Sequence, residues 1–318
     1  LLAVPNHFFK EWIESHYISN IDTALKANNR SIIKSQIFVL EKKENKKLSN
    51  QDQNQLETKT KARINNLNPQ YRFQNFIVGN NNELAKAASE SVAKTPGDSS
   101  FNPLIIYGGV GLGKTHLMHA IGNRALVNSP GANIVNITSE KFTLDFVNSL
   151  RKNKTIEFAQ NYRKADILLI DDIQFFRGKE QTQEQFFHTF NVLYQSGKQI
   201  VLTADKFPGE MKGLQSRLLS RFQSGLSVDV QPPDYEMRVA ILLEKAEQNG
   251  LTLEYPMVEF IATHIKKNIR ELEGAIIRIL AKSSLLNKEI DKTLVFEVIK
   301  ERVGGVQNKD LTMENIVK

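Results

Sequence analysis

The sequence predicts an α/β fold: a parallel sheet with helices on both faces, followed by an appended all-α domain and preceded by a partial small α/β module. Three observations point there. Between residues 68 and 230, short apolar runs at 104–107, 134–137, 167–170 and 200–202 alternate with helical stretches, as βαβ units require. After Pro232-Pro233 the strand patterns stop and helical periodicity takes over. From residue 41 to 63 the chain turns polar and separates a short N-terminal stretch from the rest.

Taken in order, residues 1–40 read as strand, helix, strand. Leu1 to Val4 is an apolar run, Asn6 after Pro5 offers an N-cap, and Phe9, Ile13, Tyr17 and Ile21 recur every fourth residue. The stretch 31–40 (SIIKSQIFVL) is β-branched and strand-like. Trp12 suits the apolar face of that helix, with an exposed partner contact as the alternative. One helix and two strands bury too little for independent stability, so the segment is expected to be the latter part of a small module. Residues 41–67 follow as a flexible linker, because Leu48, Leu56 and Ala62 are its only apolar residues up to position 63 and cannot offset chain entropy. A basic tether that touches nucleic acid is the alternative to a plain solvated linker. The α/β domain is expected over 68–232, with a fifth strand over 226–230 that alternates. In the helical domain, 233–305, Asp234 caps a helix that ends at Gly250, and helical patterns follow at 256–267, 268–286 and 290–302. Residues 306–318 start a connector in which LTMENIVK (311–318) opens a new amphipathic pattern.

Composition narrows the function classes. The 318 residues are 41% hydrophobic and 24% charged, an ordinary globular balance. No apolar run approaches the roughly 18 residues of a spanning helix. The absence of cysteine excludes disulfides, thiolate zinc sites and cysteine nucleophiles, and it fits a reducing cytosol. The N-terminus does not read as a signal peptide, so a cytoplasmic location is expected. Forty-two Lys and Arg against 35 Asp and Glu give +7, compatible with a polyanionic partner but modest for this length.

The chemistry concentrates after the first core strand. Leu104 to Tyr107 runs into Gly108-Gly109-Val110-Gly111-Leu112-Gly113-Lys114-Thr115, a G-x-x-x-x-G-K-[ST] match that continues as a helix from His116. Strand, glycine-rich loop and helix are the context in which backbone N–H groups close around phosphates and a helix N-terminus adds positive charge. Lys114 is expected to reach the β- and γ-phosphate oxygens and Thr115 to ligate Mg²⁺, with His116 beside the nucleotide. The run 167–170 ends in Asp171 and Asp172. Alone, strand-end Asp residues often cap the next helix; downstream of a P-loop, Asp171 is expected at Mg²⁺ and Asp172 at the attacking water. Because Asp is shorter than Glu in that second role, hydrolysis is expected to be slow. Asp205, at the end of the 200–202 run, is a candidate γ-phosphate sensor, with a turn-forming Asp as the alternative. Arg217 and Arg221 lie four apart on a helix-like stretch, where surface salt bridging is the ordinary explanation and a guanidinium offered to a neighbouring subunit's γ-phosphate is the functional one. Arg270 opens a helix of the second domain, from which it would reach the phosphates. His116 and His119, one helical turn apart, lack further ligands and make a poor metal site.

The stretches 75–88 (NFIVGNNNELAKAA), 102–123 (NPLIIYGGVGLGKTHLMHAIGN), 165–191, 216–234 (SRLLSRFQSGLSVDVQPPD) and 268–279 (NIRELEGAIIRI) resemble the bacterial chromosomal replication initiator DnaA, an AAA+ ATPase. The resemblance implies an AAA+ P-loop sheet with a helical lid, a partial N-terminal interaction domain over 1–40, and no C-terminal helix-turn-helix domain for duplex origin boxes. It further implies an ATP-controlled oligomer, switched between ATP and ADP, that assembles at a replication origin, helps melt it and binds single strands. Arg221 would be the trans finger, with Arg217 beside it and Arg270 as the lid-borne sensor. Residues 139–163 resemble the helical insertion of initiators and helicase loaders, and positions matching Val147, Lys179 and Thr182 line a single-strand channel in that group. Gln181 departs from the Arg of many members, one cation fewer for phosphate contacts. A replicative helicase or its loader, and acidic phospholipids, are the further implied partners. Arg151, Lys152, Lys154, Arg163 and Lys164 bracket the insertion, with a solvated charged face as the plain alternative. Two other functions compete: a helicase loader or remodeller that depends on repeated hydrolysis, and a binding scaffold with a vestigial P-loop, although no P-loop residue is missing.

Overall fold

Every apolar run of the α/β region forms a strand, because all-apolar segments of this length are stable only when both faces are covered. The computed structural model describes residues 2–4, 37–39, 66–97, 100–286 and 288–303. The chain falls into two compact units, Leu1–Ala62 and Arg63–Lys318. In the first, β1 (Leu2–Val4) pairs in parallel with β2 (Ile37–Val39), Leu2 opposite Ile37. The helix expected from Asn6, Trp12, the linker up to residue 63 and the pattern at 311–318 lie outside the described residues.

The second unit carries a five-stranded parallel sheet of β3 (Leu104–Gly108), β4 (Ile134–Thr138), β5 (Ile167–Asp171), β6 (Gln199–Ala204) and β7 (Leu226–Val230). Their order across the sheet is β4-β5-β6-β3-β7. Each strand runs one or two residues beyond the apolar run at one end or both, except β7, whose bounds match the expectation. Side chains alternate between faces at a period of two, so each strand feeds two cores. Leu104, Ile106, Ile167, Leu169 and Val201 join the core beneath α1 (Glu83–Lys94) and α2 (Lys114–Asn128). Ile105, Leu168, Ile170, Ile200 and Leu202 join the opposite core.

That opposite core is built on aromatic rings. The expected insertion over 139–163 is two helices, α3 (Ser139–Arg151) and α4 (Thr155–Arg163), turned at Asn153 with φ of 53°. Phe142 is fully buried and packs against Phe158, Tyr162, Phe176 and Phe186 at centroid distances of 4.9 to 5.8 Å. Phe186 belongs to α5 (Glu180–Gln195), and α6 (Ser216–Gln223) adds Leu218 and Phe222.

Four helices follow. The α7 helix (Tyr235–Gln248) starts where Asp234 Oδ1 accepts the Met237 N–H at 2.9 Å, as the sequence predicts. It packs with α8 (Tyr255–His264), α9 (Ile269–Leu286) and α10 (Lys292–Val303) around a core that includes Leu242, Ile261, Ile276 and Ile299. Asn268 caps α9: its Oδ1 accepts the Glu271 N–H at 2.9 Å and its Nδ2 donates to Glu271 Oε1 at 3.0 Å.

Candidate nucleotide site

The loop between β3 and α2 takes the shape its glycines permit. Gly113 sits at φ of +101°, and a Cβ there would lie 2.9 Å from the Phe76 ring. Gly111 sits at φ of +75°, where a Cβ would come within 3.1 Å of Asn268 Oδ1 at the start of α9. Side chains are excluded by both the backbone conformation and the space. The Gly111 carbonyl accepts the Ile269 N–H at 3.0 Å, so the first turn of α9 rests directly on the loop.

Lys114 opens α2 at 7% exposure and donates from Nζ to the Gly108 and Gly109 carbonyls at 2.9 and 2.8 Å. Burial lowers its pKa, and the Asp172 and Asp171 carboxylates oppose that shift. A buried ammonium held by neutral carbonyls is poised for a strong anion. Beside it, Thr115 Oγ1 donates to Asp171 Oδ2 at 2.8 Å, and Thr203 Oγ1 donates to Asp171 Oδ1. The Asp172 N–H donates to Thr203 Oγ1 at 2.9 Å, and Ser139 Oγ donates to the Asp172 carbonyl at 2.6 Å. These bonds hold Asp172 at φ of +58°, in the left-handed region that a side chain such as Asp tolerates.

A cleft of about 310 Å³ opens between this loop and the helices after Pro233. Val110, Gly111, Leu112, Gly113, Lys114, Thr115, His116, Asp172, Asp205 and Arg270 all line it, so ten of the expected residues meet in one place. Asp171 lies just behind them, bonded to Thr115. Gly108 and Gly109 reach the cleft through their hold on Lys114 and line a second, more open hollow with Asp205. One wall is aromatic: Tyr71 stacks on His116 at 4.8 Å, and Phe76 meets the same ring edge-on at 5.3 Å. His116 Nε2 lies 2.8 Å from the Arg72 carbonyl, and burial lowers its pKa first of all. Asp205 pairs with Arg177 at 3.4 Å.

Other expected residues stand outside the cleft. Arg217 lies over the Phe187 ring at 4.8 Å, donates from Nε to Gln215 Oε1 at 2.8 Å and approaches Glu184 at 3.8 Å. Arg221, on the same helix, is half-buried. Val147 and Lys179 are half-buried and Gln181 is exposed, whereas Thr182 is buried at 4% exposure and offers little surface to a strand in this form. Lys154 pairs with Glu157 at 2.9 Å; Arg151, Lys152 and Lys164 are exposed. His119 Nδ1 accepts the Asn68 N–H at 2.9 Å and its Nε2 lies 3.2 Å from Asn136 Nδ2, so this ring is occupied.

Thr203, Tyr71, Phe76, Lys245 and Glu273 belong to the site and escape the motif pattern. Thr203 does carry a signal, a hydroxyl residue directly after the apolar run of β6. Tyr71 and Phe76 carry none, since only tertiary packing brings them to the loop. Lys245 and Glu273, which also line the cleft, pair at 2.7 Å between α7 and α9.

Comparison with known proteins decides the family. The bacterial DnaA ATPase domain matches residues 67–229, and the DnaA N-terminal domain matches residues 1–27. The chain belongs to the bacterial DnaA family. Domain III of DnaA from Thermotoga maritima is 45% identical with a TM-score of 0.72, covering 74% of this chain and 98% of that one. A replication initiator DnaA bound to AMPPCP and single-stranded DNA is 38% identical with a TM-score of 0.66, covering 74% of this chain and 70% of that one. AMPPCP-bound DnaA from Aquifex aeolicus is 40% identical with a TM-score of 0.63, covering 68% of this chain and 67% of that one. The AAA+ arrangement of a parallel sheet followed by helices is therefore shared with DnaA. Among the described residues no helix is long and apolar enough to cross a membrane.

The DnaA-like loop also fits the groups it would hold. Its glycines leave a cradle that Cβ atoms would fill, beside a buried cation. Thr115 and Asp171 present hard oxygen donors 2.8 Å apart. Among the described residues no group of three or more His, Asp or Glu side chains suits a metal ion. Two oxygens plus phosphate and water suit Mg²⁺.

Proposed function

We propose that this chain is an ATP-controlled initiator of chromosomal DNA replication: the ATP-bound form assembles with copies of itself at an origin, helps melt duplex DNA and binds single strands, and slow hydrolysis switches it off. The observation that carries this is Lys114, buried between the glycine loop and the Arg270-bearing start of α9, so that one cleft joins sheet and helical domain. A nucleotide there would touch both, and its third phosphate would bias their relation. The AMPPCP and single-stranded DNA bound to a similar initiator support the same partners here.

In this reading the 68–232 and 233–305 segments act as nucleotide-binding domain and lid. Backbone N–H groups from Gly109 to Gly113 orient the phosphates, and Lys114 and Arg270 neutralise them. Thr115 and Asp171 would hold Mg²⁺, which supplies charge neutralisation when bound. Asp172 orients a water and takes its proton as the water oxygen bonds to the γ-phosphorus; the bond to the β–γ bridging oxygen breaks and its electron pair leaves with ADP. Arg221, with Arg217 beside it, serves the γ-phosphate of the next copy, which fits their position outside their own cleft. Val147, Lys179 and Thr182 would contact the single strand, Thr182 after a local rearrangement that exposes it. A helicase or its loader and acidic phospholipids are further partners in this reading. Sedimentation with ATP, ADP or no nucleotide tests it: ATP-specific assembly is expected, and a monomer under all three conditions would sink it. The intact Asp172 constellation also suits a remodeller that depends on repeated hydrolysis; origin melting that is lost whenever Asp172 is changed would favour that alternative.

A further inference from the structure

Gln174 sits two residues after Asp172, in the short turn Ile173–Phe176, and both of its amide atoms are engaged. Its Nε2 donates to Asp172 Oδ1 at 2.9 Å. Its Oε1 accepts the Asp205 N–H at 3.3 Å. The three residues line the same cleft, so one neutral side chain spans from the carboxylate at the end of β5 to the backbone at the end of β6. The other hydrogen bonds at Asp172 involve its main chain: its N–H donates to Thr203 Oγ1, and its carbonyl accepts from Ser139 Oγ and from the Phe175 N–H. Among the hydrogen bonds described at Asp172, the one from Gln174 is the one that holds the carboxylate. An Asp side chain has two torsions, and without a partner the carboxylate samples several orientations in an open cleft. Asp205 is itself steadied by Arg177, at 3.4 Å, which fixes the far end of the span.

We infer that Gln174 is a positioning residue for ATP hydrolysis: it fixes the Asp172 carboxylate so that Oδ2 is presented to the attacking water, and it ties that orientation to the strand end bearing Asp205. The inference rests on the proposed role of Asp172. It assigns to an uncharged residue the part of the rate that depends on how the carboxylate is aimed. A neutral amide is required chemically, because the bond to Asp172 needs an N–H donor and the bond from the Asp205 N–H needs an acceptor. Glutamine supplies both at this length, and asparagine is one methylene short.

Single-turnover hydrolysis and equilibrium ATP binding by the full chain separate this role from binding and from folding. Gln174→Met keeps shape and length but loses both bonds. Its expected rate is about tenfold lower, the scale of one hydrogen bond to a charged group, with ATP affinity within about twofold of the parent. Gln174→Glu keeps the length and an acceptor but sets a second carboxylate against Asp172, and its expected rate is lower than that of Gln174→Met. A merely space-filling role would not produce that order. Asp172→Asn loses most of the rate, and adding Gln174→Met to it lowers the rate no further. If Gln174→Met hydrolyses at the parent rate while Asp172→Asn is inactive, the inference is wrong and the role of Asp172 stands. If Gln174→Met weakens ATP binding as much as it slows hydrolysis, Gln174 is a binding residue and the inference is overturned. Parent-like hydrolysis by Asp172→Asn would remove the role of Asp172 and this inference with it.

Discussion

Lys114 shows what one residue contributes when its surroundings are built for it. Its ammonium is held by two carbonyls that cannot neutralise it, so an anion entering the cleft exchanges a weak partner for a strong one. Lys114→Ala is expected to weaken ATP binding by about 10- to 100-fold or more, the range set by one or more charge-assisted bonds; fluorescent-nucleotide titration checks it, and retained affinity would mean the cleft binds without its cation. His119 shows the opposite use of burial. Desolvation lowers its pKa, so the folded chain keeps the ring neutral while the unfolded chain protonates it near pH 6.5. Protons then bind preferentially to the unfolded state, so the stability contributed by neutral His119 is complete above that pH and is lost as pH falls through the lowered value. Thermal melting between pH 7.5 and 5.5 is expected to show a decline that flattens in His119→Gln.

At the scale of elements, the two-helix insertion is anchored by rings rather than by ion pairs. Phe142 touches rings from α4, α5 and the turn after β5, so this face carries a continuous aromatic core from sheet to insertion. Phe142→Ala is expected to cost about 3–5 kcal/mol of stability by urea unfolding, because the rings around it cannot collapse into the void. A loss under 1 kcal/mol would show that the insertion is loosely held. Val147 lies on the insertion helix α3, and Lys179 and Thr182 lie at the start of α5, so the expected DNA contacts border this aromatic core. Single-strand affinity is expected to fall steeply with salt, and Lys179→Ala to reduce the slope of log affinity against log salt by about one. An unchanged slope would place the phosphate contacts elsewhere.

At the scale of the molecule, the cleft joins the sheet to the helices after Pro233, while the arginines of α6 stand apart from it. That arrangement makes the proposed finger testable without disturbing the site. Arg221→Ala is expected to bind ATP within about twofold of the parent yet fail to assemble, as read by sedimentation velocity with ATP. Assembly that survives the substitution would show that the γ-phosphate is read within one chain.

The sequence by itself determined the strands, the glycine loop, Lys114, Thr115 and the Asp171-Asp172 pair, because these follow from local periodicity and from spacing along one strand, loop and helix. Asp234 and its helix were legible for the same reason, since a cap bonds to a backbone N–H three residues away. Only the tertiary structure decided that Thr203 links Asp171 to Asp172, that Tyr71 and Phe76 wall the cleft, that Thr182 faces inward and that Gln174 ties Asp172 to the end of β6. Such partners lie on different elements, and which side chains meet there depends on how the elements pack. No pattern confined to one segment encodes that.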